Sequence, residues 1–153
     1  MKNFLLDGSG KSKAFFFNKL FPEINKQIIK KLINNYKKNK EDVRICMHSK
    51  KNSKIQCMIN LISKKNFYLP HFHKNSEEYY FFIKNELIVN CFNKKLKVIK
   101  KIYLNEKNFL VKIEKNIPHI TIPKNKFCIY LEFKLGPFNP QNSIIYKKKI
   151  KVR

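Results

Sequence analysis

The chain has 153 residues, of which 43% are hydrophobic and 14% aromatic, so it can form one domain with a substantial core and is not a disordered chain. Its formal net charge is +24, and its four cysteines include no CxxC pair, which excludes a thiolate zinc ribbon and a disulfide framework. No apolar run reaches the roughly 20 residues of a membrane span, and no signal peptide pattern is present, so we expect a cytoplasmic protein.

The positive charge has two explanations, a polyanion partner or a compositional bias. Only two of the 34 basic residues are arginines, Arg44 and Arg153, and the lysines are spread along the whole chain. Proteins that read nucleic acids rely on arginine for bidentate contacts to guanine and phosphate. We therefore favour a bias toward A and T codons and do not expect a nucleic acid partner, although polyanion binding stays open.

The N-terminal part, residues 1–42, is predicted to be a mixed lead of about 20 residues followed by one helix over 22–38. Pro22 suits a first helical turn. Ile24, Ile28, Leu32 and Tyr36 recur every four residues, and lysines occupy the opposite face. This pattern predicts a helix that packs on the outside of the domain.

From residue 43 onward the hydrophobic period changes to that of short strands. Polar spacers rich in Asn, Lys and Ser separate the apolar or alternating runs, which indicates a sandwich or barrel. With only three glycines in the chain, asparagine has to supply several left-handed turn positions. We predict an all-β domain over 43–140 and a basic tail over 141–153. The predicted strands are 43–48, 55–62, 67–73, 78–83, 87–92, 96–104, 109–113, 119–122 and 127–135.

Three of the four histidines and one carboxylate form a candidate metal site. His71 and His73 are two residues apart on a predicted strand, so both side chains lie on the same face. Glu77 or Glu78 opens the next strand, and His119 opens a later one. Three imidazoles and a carboxylate are a plausible ligand set for zinc, iron, manganese or nickel.

These residues resemble the first and second motifs of the cupin superfamily. The first motif is HxH, three or four residues, Glu, six residues and Gly. Here it begins at His71 and His73, and Asn85 in the glycine position selects Glu78 as the glutamate. The second motif corresponds to 113–119 and ends in His119. The resemblance implies a double-stranded β-helix, or jelly-roll barrel, with one divalent metal ion bound by His71, His73, Glu78 and His119.

The resemblance is closer to the WbuC-type cupin metalloproteins and covers about residues 43–140. It includes Arg44 with His48, Gln56, the run 69–73, and the run 131–134 leading into 136–138. Members often lie in gene clusters for surface polysaccharide assembly. The sequence departs from the pattern at turn positions, where Lys65, Asn85 and Asn116 replace glycines and Glu114 replaces a proline. All four expected metal ligands are present.

The family pattern also supplies the candidate substrate-binding and catalytic residues. Arg44 could bind a carboxylate or phosphate, or form a structural ion pair. His48 could be a general acid or base, or a hydrogen-bonded histidine at a strand end. Glu132 could orient a metal-bound histidine or act as a base. Gln56 is a further polar candidate, and Tyr80 and Phe82, in phase with Glu78, could line the pocket.

The resemblance implies a metal-dependent enzyme that acts on a small polar metabolite, such as a sugar or nucleotide sugar, by isomerase- or epimerase-like chemistry. Two alternatives stay open, an iron-dependent dioxygenase and a non-catalytic module for carbohydrate binding or regulation. Cupins often pair through sheet edges, so the resemblance also implies a homodimer.

Overall fold

The computed structural model describes residues 4–8, 12–18, 20–66 and 68–147. In that part of the chain, twelve strands form two sheets, and one α-helix packs against them. This confirms the predicted all-β cupin-like architecture. None of its helices is long and apolar enough to cross a membrane. The strands are β1 (Phe4–Asp7), β2 (Lys13–Phe17), β3 (Val43–Cys46), β4 (Ile55–Ser63), β5 (His71–His73), β6 (Glu78–Lys84), β7 (Leu87–Phe92), β8 (Val98–Leu104), β9 (Leu110–Ile113), β10 (His119–Pro123), β11 (Phe127–Leu135) and β12 (Ser143–Ile145), with helix α1 (Lys26–Asn39) and a 3-10 turn (Pro140–Asn142).

The two sheets have seven and five strands. The larger one has the order β1-β2-β3-β4-β11-β6-β9 and the smaller one β12-β5-β10-β7-β8. All pairs of neighbouring strands are antiparallel except β2 and β3, which are parallel and are joined through α1. A parallel pair needs a crossover connection, and here the helix provides it.

Helix α1 packs on the outer face of the larger sheet, as the sequence predicts. It begins later than predicted because the Asn25 side chain accepts hydrogen bonds from the N–H groups of Gln27 and Ile28, which makes Asn25 the N-cap. The helix ends at Asn39, and the C-cap residue Lys40 has φ 58° and donates its N–H to the Tyr36 carbonyl. The apolar face of α1 buries Leu32 and Tyr36 against outward-facing residues of β2, β3, β4 and β11.

A second core lies between the two sheets. It includes Leu87, Val89 and Leu104 of the smaller sheet together with Tyr80 and Tyr130 of the larger one. Side chains alternate between the faces of a strand, so the central strands β3, β4 and β11 supply one set of residues to α1 and the other to the barrel interior. The interior positions are the ones that surround the candidate site.

The predicted lead and tail contain strands that the sequence analysis does not predict. Strands β1 and β2 extend the larger sheet, and β12 pairs with β5. Residues 1–3 of the lead and 148–153 of the tail lie outside the described residues. The domain boundaries after residues 42 and 140 stay predictions.

Asparagine occupies left-handed turn positions, as the shortage of glycine predicts. Asn85 and Asn116 have φ values of 59° and 63° and fill two of the positions where the family pattern has glycine. Lys65 has no positive φ, so its turn needs no glycine. Leu96 does have a positive φ of 61°, and the predicted strand over 96–104 accordingly begins later, at Val98.

Candidate metal centre

Four side chains from three strands converge inside the barrel. His71 and His73 lie on β5, Glu78 is the first residue of β6, and His119 is the first residue of β10. Strand β10 pairs with β5 so that His119 lies directly opposite His71. One ligand atom from each of the four residues can be chosen so that all lie within 4.8 Å of one another. The four residues predicted from the sequence therefore share one centre.

The Nδ1 atom of each imidazole has a polar partner outside the cluster. Nδ1 of His71 lies 3.3 Å from the Leu69 carbonyl, and Nδ1 of His119 lies 2.9 Å from the Ile117 carbonyl. A carbonyl oxygen can only accept, so both Nδ1 atoms donate. Nδ1 of His73 lies 2.9 Å from the Ser143 hydroxyl. These contacts fix the rings and leave Nε2 as the ligand atom, which is the arrangement that metal-binding histidines use.

Glu78 lies at the centre of the cluster and is only 2% exposed. Its Oε2 accepts a hydrogen bond from the Tyr80 hydroxyl and lies 2.9 Å from His119 Nε2. Its Oε1 accepts a hydrogen bond of 2.8 Å from the Lys134 ammonium and lies 2.9 Å from His73 Nε2. Hydrogen bonds from Tyr80 and Lys134, one to each oxygen, thus fix the orientation of the Glu78 carboxylate.

The protonation states suit cation binding. Burial lowers the pKa of His71 to about 3, with a further lowering from His119, so His71 is neutral near pH 7. Burial alone would raise the pKa of Glu78, but the Lys134 ammonium and the adjacent imidazoles of His119 and His73 outweigh it and hold this pKa well below its usual range. A neutral imidazole and an ionised carboxylate are the forms that bind metals.

One contact in the cluster, between His119 and Glu78, is favourable only with a shared cation. Because His119 Nδ1 donates to a carbonyl, the Nε2 of a neutral His119 presents a lone pair to Glu78 Oε2, and only a proton or a metal ion makes that contact favourable. His73 Nε2 is buried and has no hydrogen-bond partner in the described part of the chain, although Glu78 Oε1 is near. The donor set of three imidazole nitrogens and one carboxylate fits a divalent transition metal.

Lys134 connects this cluster to Glu132. Its ammonium lies 2.8 Å from Glu132 Oε1, and the other Glu132 oxygen accepts a hydrogen bond of 2.9 Å from Asn60. Burial would lower the pKa of Lys134, but the two carboxylates raise it above its usual value. Glu132 thus contacts a lysine and an amide rather than orienting a histidine, which leaves the role of a base as its candidate function.

Three of the predicted polar residues, Arg44, His48 and Gln56, line one cavity of about 420 Å³ together with Lys134. The structural ion pair considered for Arg44 does not form with any carboxylate of the described residues, and its guanidinium instead donates to the Ser12 hydroxyl. Arg44, Gln56 and Lys134 lie on β3, β4 and β11, and His48 lies in the loop after β3. The cavity therefore lies on the larger sheet, where Lys134 pairs in register with Glu78 of the cluster.

His48 and Gln56 both contact backbone atoms. His48 Nδ1 lies 3.1 Å from both the N–H and the carbonyl oxygen of Cys57, and burial lowers its pKa. Gln56 donates through Nε2 to the carbonyls of Lys51 and Ser53.

The chain after β11 passes close to the same backbone. A Cβ atom at Gly136 would lie 2.1 Å from the Ser53 carbonyl, so position 136 requires a glycine.

Tyr80 and Phe82 line neither this cavity nor the smaller one below. The Tyr80 hydroxyl is bound to Glu78, and burial raises the Tyr80 pKa, with Glu78 adding to the effect, so the phenol stays a proton donor. Phe82 packs against the core between the sheets. Their predicted contact with substrate stays a prediction.

A second cavity, of about 230 Å³, is lined by His73 and Ser143. Gln56, Lys134 and Phe138 line both cavities. Lys134 can do so because the sheet register places it between Gln56 on β4 and Glu78 on β6. The metal-ligand cluster and the larger cavity are thus linked through this lysine.

Sequence analysis missed Ser12, Asn60, Lys134 and Ser143. The period-two phase of 132 and 134 on β11 could have indicated that Lys134 shares a face with Glu132. Ser143 lies in the tail and contacts His73 only because β12 pairs with β5, for which the sequence carries no local signal.

The fold and the site define a cupin-fold protein with a cluster that could hold a metal. Similar solved structures include the capsular polysaccharide assembling protein CapF from Staphylococcus aureus (TM-score 0.56, 12% identity, 69% of this chain and 29% of that one). They also include protein SO0799 from Shewanella oneidensis (TM-score 0.54, 10% identity, 62% and 63%). Oxalate decarboxylase from Lactobacillus farciminis matches with a TM-score of 0.49, 20% identity, and 61% and 27% coverage. The chain spans less than a third of CapF and of the decarboxylase.

The chain belongs to the family described as Domain of unknown function (DUF6016), which matches residues 24–104. This segment includes His71, His73 and Glu78, whereas His119 follows it. None of the curated proteins matches the sequence.

Proposed function

We propose that His71, His73, Glu78 and His119 bind one divalent ion of zinc, iron, manganese or nickel. The observation that carries the proposal is the convergence of their ligand atoms within 4.8 Å. The hydrogen bonds at Nδ1 and the buried Nε2 of His73 support it.

We further propose that the protein is a metal-dependent enzyme acting on a small polar metabolite by isomerase- or epimerase-like chemistry. A bound divalent ion would supply Lewis acidity toward a substrate carbonyl. Glu132 is the nearer candidate for moving a proton because it contacts Lys134, which in turn contacts Glu78. His48, in the adjoining cavity, is the second candidate, since its lowered pKa keeps the imidazole neutral and able to accept a proton.

We propose a sugar or nucleotide sugar as the substrate and surface polysaccharide biosynthesis as the setting. The WbuC-like pattern around Arg44, His48 and Gln56 supports this, and so does the likeness to a capsular polysaccharide assembling protein. Assignment to the WbuC type and assembly as a homodimer belong to the same proposal.

Metal analysis of protein purified without added metal tests the ligand set. His71→Ala and His119→Ala are expected to lower the metal content at least tenfold below about one ion per chain. The matched control is His48→Ala, which removes an imidazole outside the cluster and should keep the metal. Loss of metal from the His48 variant, or its retention in both ligand variants, would contradict the ligand set.

The reaction class is tested by incubating the metal-loaded protein with a panel of nucleotide sugars in D₂O. Exchange of substrate C–H for deuterium, seen by NMR and abolished in Glu132→Gln or His48→Gln, is the expected result. Oxygen consumption with an iron-loaded protein would favour a dioxygenase instead. Binding without turnover would favour the non-catalytic alternative.

A further inference from the structure

We propose that the cavity at Arg44 binds the anionic group, a carboxylate or a phosphate, of the molecule that reaches the metal centre. Only one part of this inference rests on the proposed function, namely that the anionic group belongs to the substrate. The binding of an anion at Arg44 follows from the unused hydrogen-bond donors of the cavity.

The Arg44 guanidinium has more donors than partners. It carries five N–H donors. Nε and Nη2 donate to Ser12 Oγ at 2.9 and 2.7 Å, and no other acceptor binds the group in the described part of the chain. A planar guanidinium with spare N–H groups is suited to carboxylate or phosphate oxygens.

Ser12 adds a further donor at the same place. It is only 8% exposed, and its oxygen accepts two hydrogen bonds from Arg44. With both lone pairs used, the hydroxyl hydrogen has to be donated elsewhere, and none of the described residues accepts it. Since Ser12 and Arg44 line the same cavity, an anion there could accept from both residues at once.

The lysines of the cavity have ion-pair partners, whereas no carboxylate of the described residues forms an ion pair with Arg44. The Lys51 ammonium lies 2.7 Å from Asp7, and the Lys134 ammonium lies 2.8 Å from both Glu78 and Glu132. Burial raises the pKa of the Cys46 thiol to about 12, so this lining residue is neutral near pH 7. Arg44 is thus the cation of this cavity whose N–H groups remain for an incoming anion, and a planar guanidinium binds such a group through paired hydrogen bonds.

The size and position of the cavity indicate that the anion is part of a larger molecule. At about 420 Å³ the cavity is within the range of small-molecule pockets, about 300–1,000 Å³, and exceeds the size of a single oxyanion. Strands β3 and β6 are three places apart in the sheet, or about 14 Å at about 4.8 Å per strand. A molecule anchored at Arg44 thus has room to extend past Lys134 toward His73.

The experiment uses the ¹⁵N-labelled full chain with EDTA present, so that the outcome does not depend on metal. The chain has only two arginines, so the side-chain Nε–H region holds two signals, and Arg153 serves as the internal reference. Inorganic phosphate and acetate are titrated separately at constant ionic strength. We expect one of them to shift the Arg44 signal saturably in the millimolar range, while the Arg153 signal does not saturate. Saturation by phosphate assigns a phosphate, and saturation by acetate a carboxylate.

Variants test the two donors through the backbone amide shifts of β2 and β3. Arg44→Gln should weaken anion binding at least tenfold and Ser12→Ala at least threefold. Lys37→Gln, which removes one charge from the exposed face of α1, should bind as the wild type does. The proposal is overturned if neither anion gives saturation, or if the Arg44 and Lys37 variants weaken binding equally. Anion binding in a chain that takes up no metal would reject the proposed function alone.

Discussion

The buried lysine beside the cluster allows a test in which stability and metal affinity should change in opposite directions. In Lys134→Met, Glu78 and Glu132 lose the ammonium that lies 2.8 Å from each of them. The metal-free protein then has two carboxylates, 2% and 14% exposed at the side chain, with no ammonium between them. A metal-bound protein would still have a cation next to Glu78.

The expected loss of stability is large. At 2.8 Å and an effective dielectric constant of about 20, each lysine–carboxylate contact is worth about 6 kcal/mol before desolvation. Breaking one partner of a buried ion pair costs about 3–5 kcal/mol net. For a chain of this size the melting temperature changes by about 2–4 °C per kcal/mol, so a fall of about 6–20 °C is expected in EDTA.

The metal affinity should rise in the same variant. Lys134 competes with a bound cation for Glu78 Oε1 and repels it, so its removal should tighten binding of Zn²⁺ at least tenfold. The assays are thermal denaturation in EDTA and isothermal titration with Zn²⁺. Lys112→Met is the matched control because Lys112 also contacts two carboxylates, Glu77 and Glu114, but its side chain is 39% exposed. We expect this control to leave the melting temperature and the affinity unchanged.

Two results would refute this reasoning. A melting temperature in EDTA as high as that of the Lys112 variant would mean that the Lys134 ion pairs contribute nothing to the fold. A folded Lys134 variant with weaker Zn²⁺ affinity would mean that Glu78 is not the carboxylate that binds the metal.

Three further predictions concern pH, the Gly136 turn and the Leu96 turn. In EDTA, the free energy of unfolding measured in urea should fall by up to about 2 kcal/mol from pH 7 to pH 5, because His71 takes up a proton below about pH 6.5 in the unfolded chain but only near pH 3 in the folded one. The His71→Gln variant should lose this part of the decline. An equal decline in the variant and the wild type would contradict the prediction. Gly136→Ala should lower the melting temperature because the new Cβ atom would clash with the Ser53 carbonyl. Gly8→Ala is the control and should leave the melting temperature unchanged, since no atom lies within 4 Å of a Cβ at that position. Equal effects of the two substitutions would be evidence against the close contact at Gly136. Leu96→Asn should raise the free energy of unfolding by up to about 1 kcal/mol, since Asn tolerates the φ of 61° better than Leu, and a decrease would show that packing of the leucine dominates.

The cluster of His71, His73, Glu78 and His119 was predictable because most of its signals lie within one short segment. Period two places His71 and His73 on one face of a strand. The resemblance to the first cupin motif, with Asn85 in the glycine position, selects Glu78 over its neighbour. The structure agrees, since Glu78 is buried in the cluster while Glu77 is partly exposed and paired with Lys112. Strands β7 and β11 have the predicted bounds because their apolar runs end at polar turns.

Other parts of the fold depend on pairing between distant segments. Strand β2 forms beside β3 only after α1 has crossed over, and β12 forms only against β5. A short apolar run carries no information about a partner 70 residues away, and so neither β12 nor the contact of Ser143 with His73 was predicted.

The sequence by itself determined the strand-rich architecture and the outer helix through side-chain periodicity, and the resemblance to the cupin motifs supplied the four residues that share a centre. Only the tertiary structure decided which interior residues are neighbours. Sheet register places Lys134 between Gln56 and Glu78 and puts Arg44 beside Ser12, while Phe82 packs into the core. Register is set by packing across the whole sheet, which no segment of the chain encodes alone.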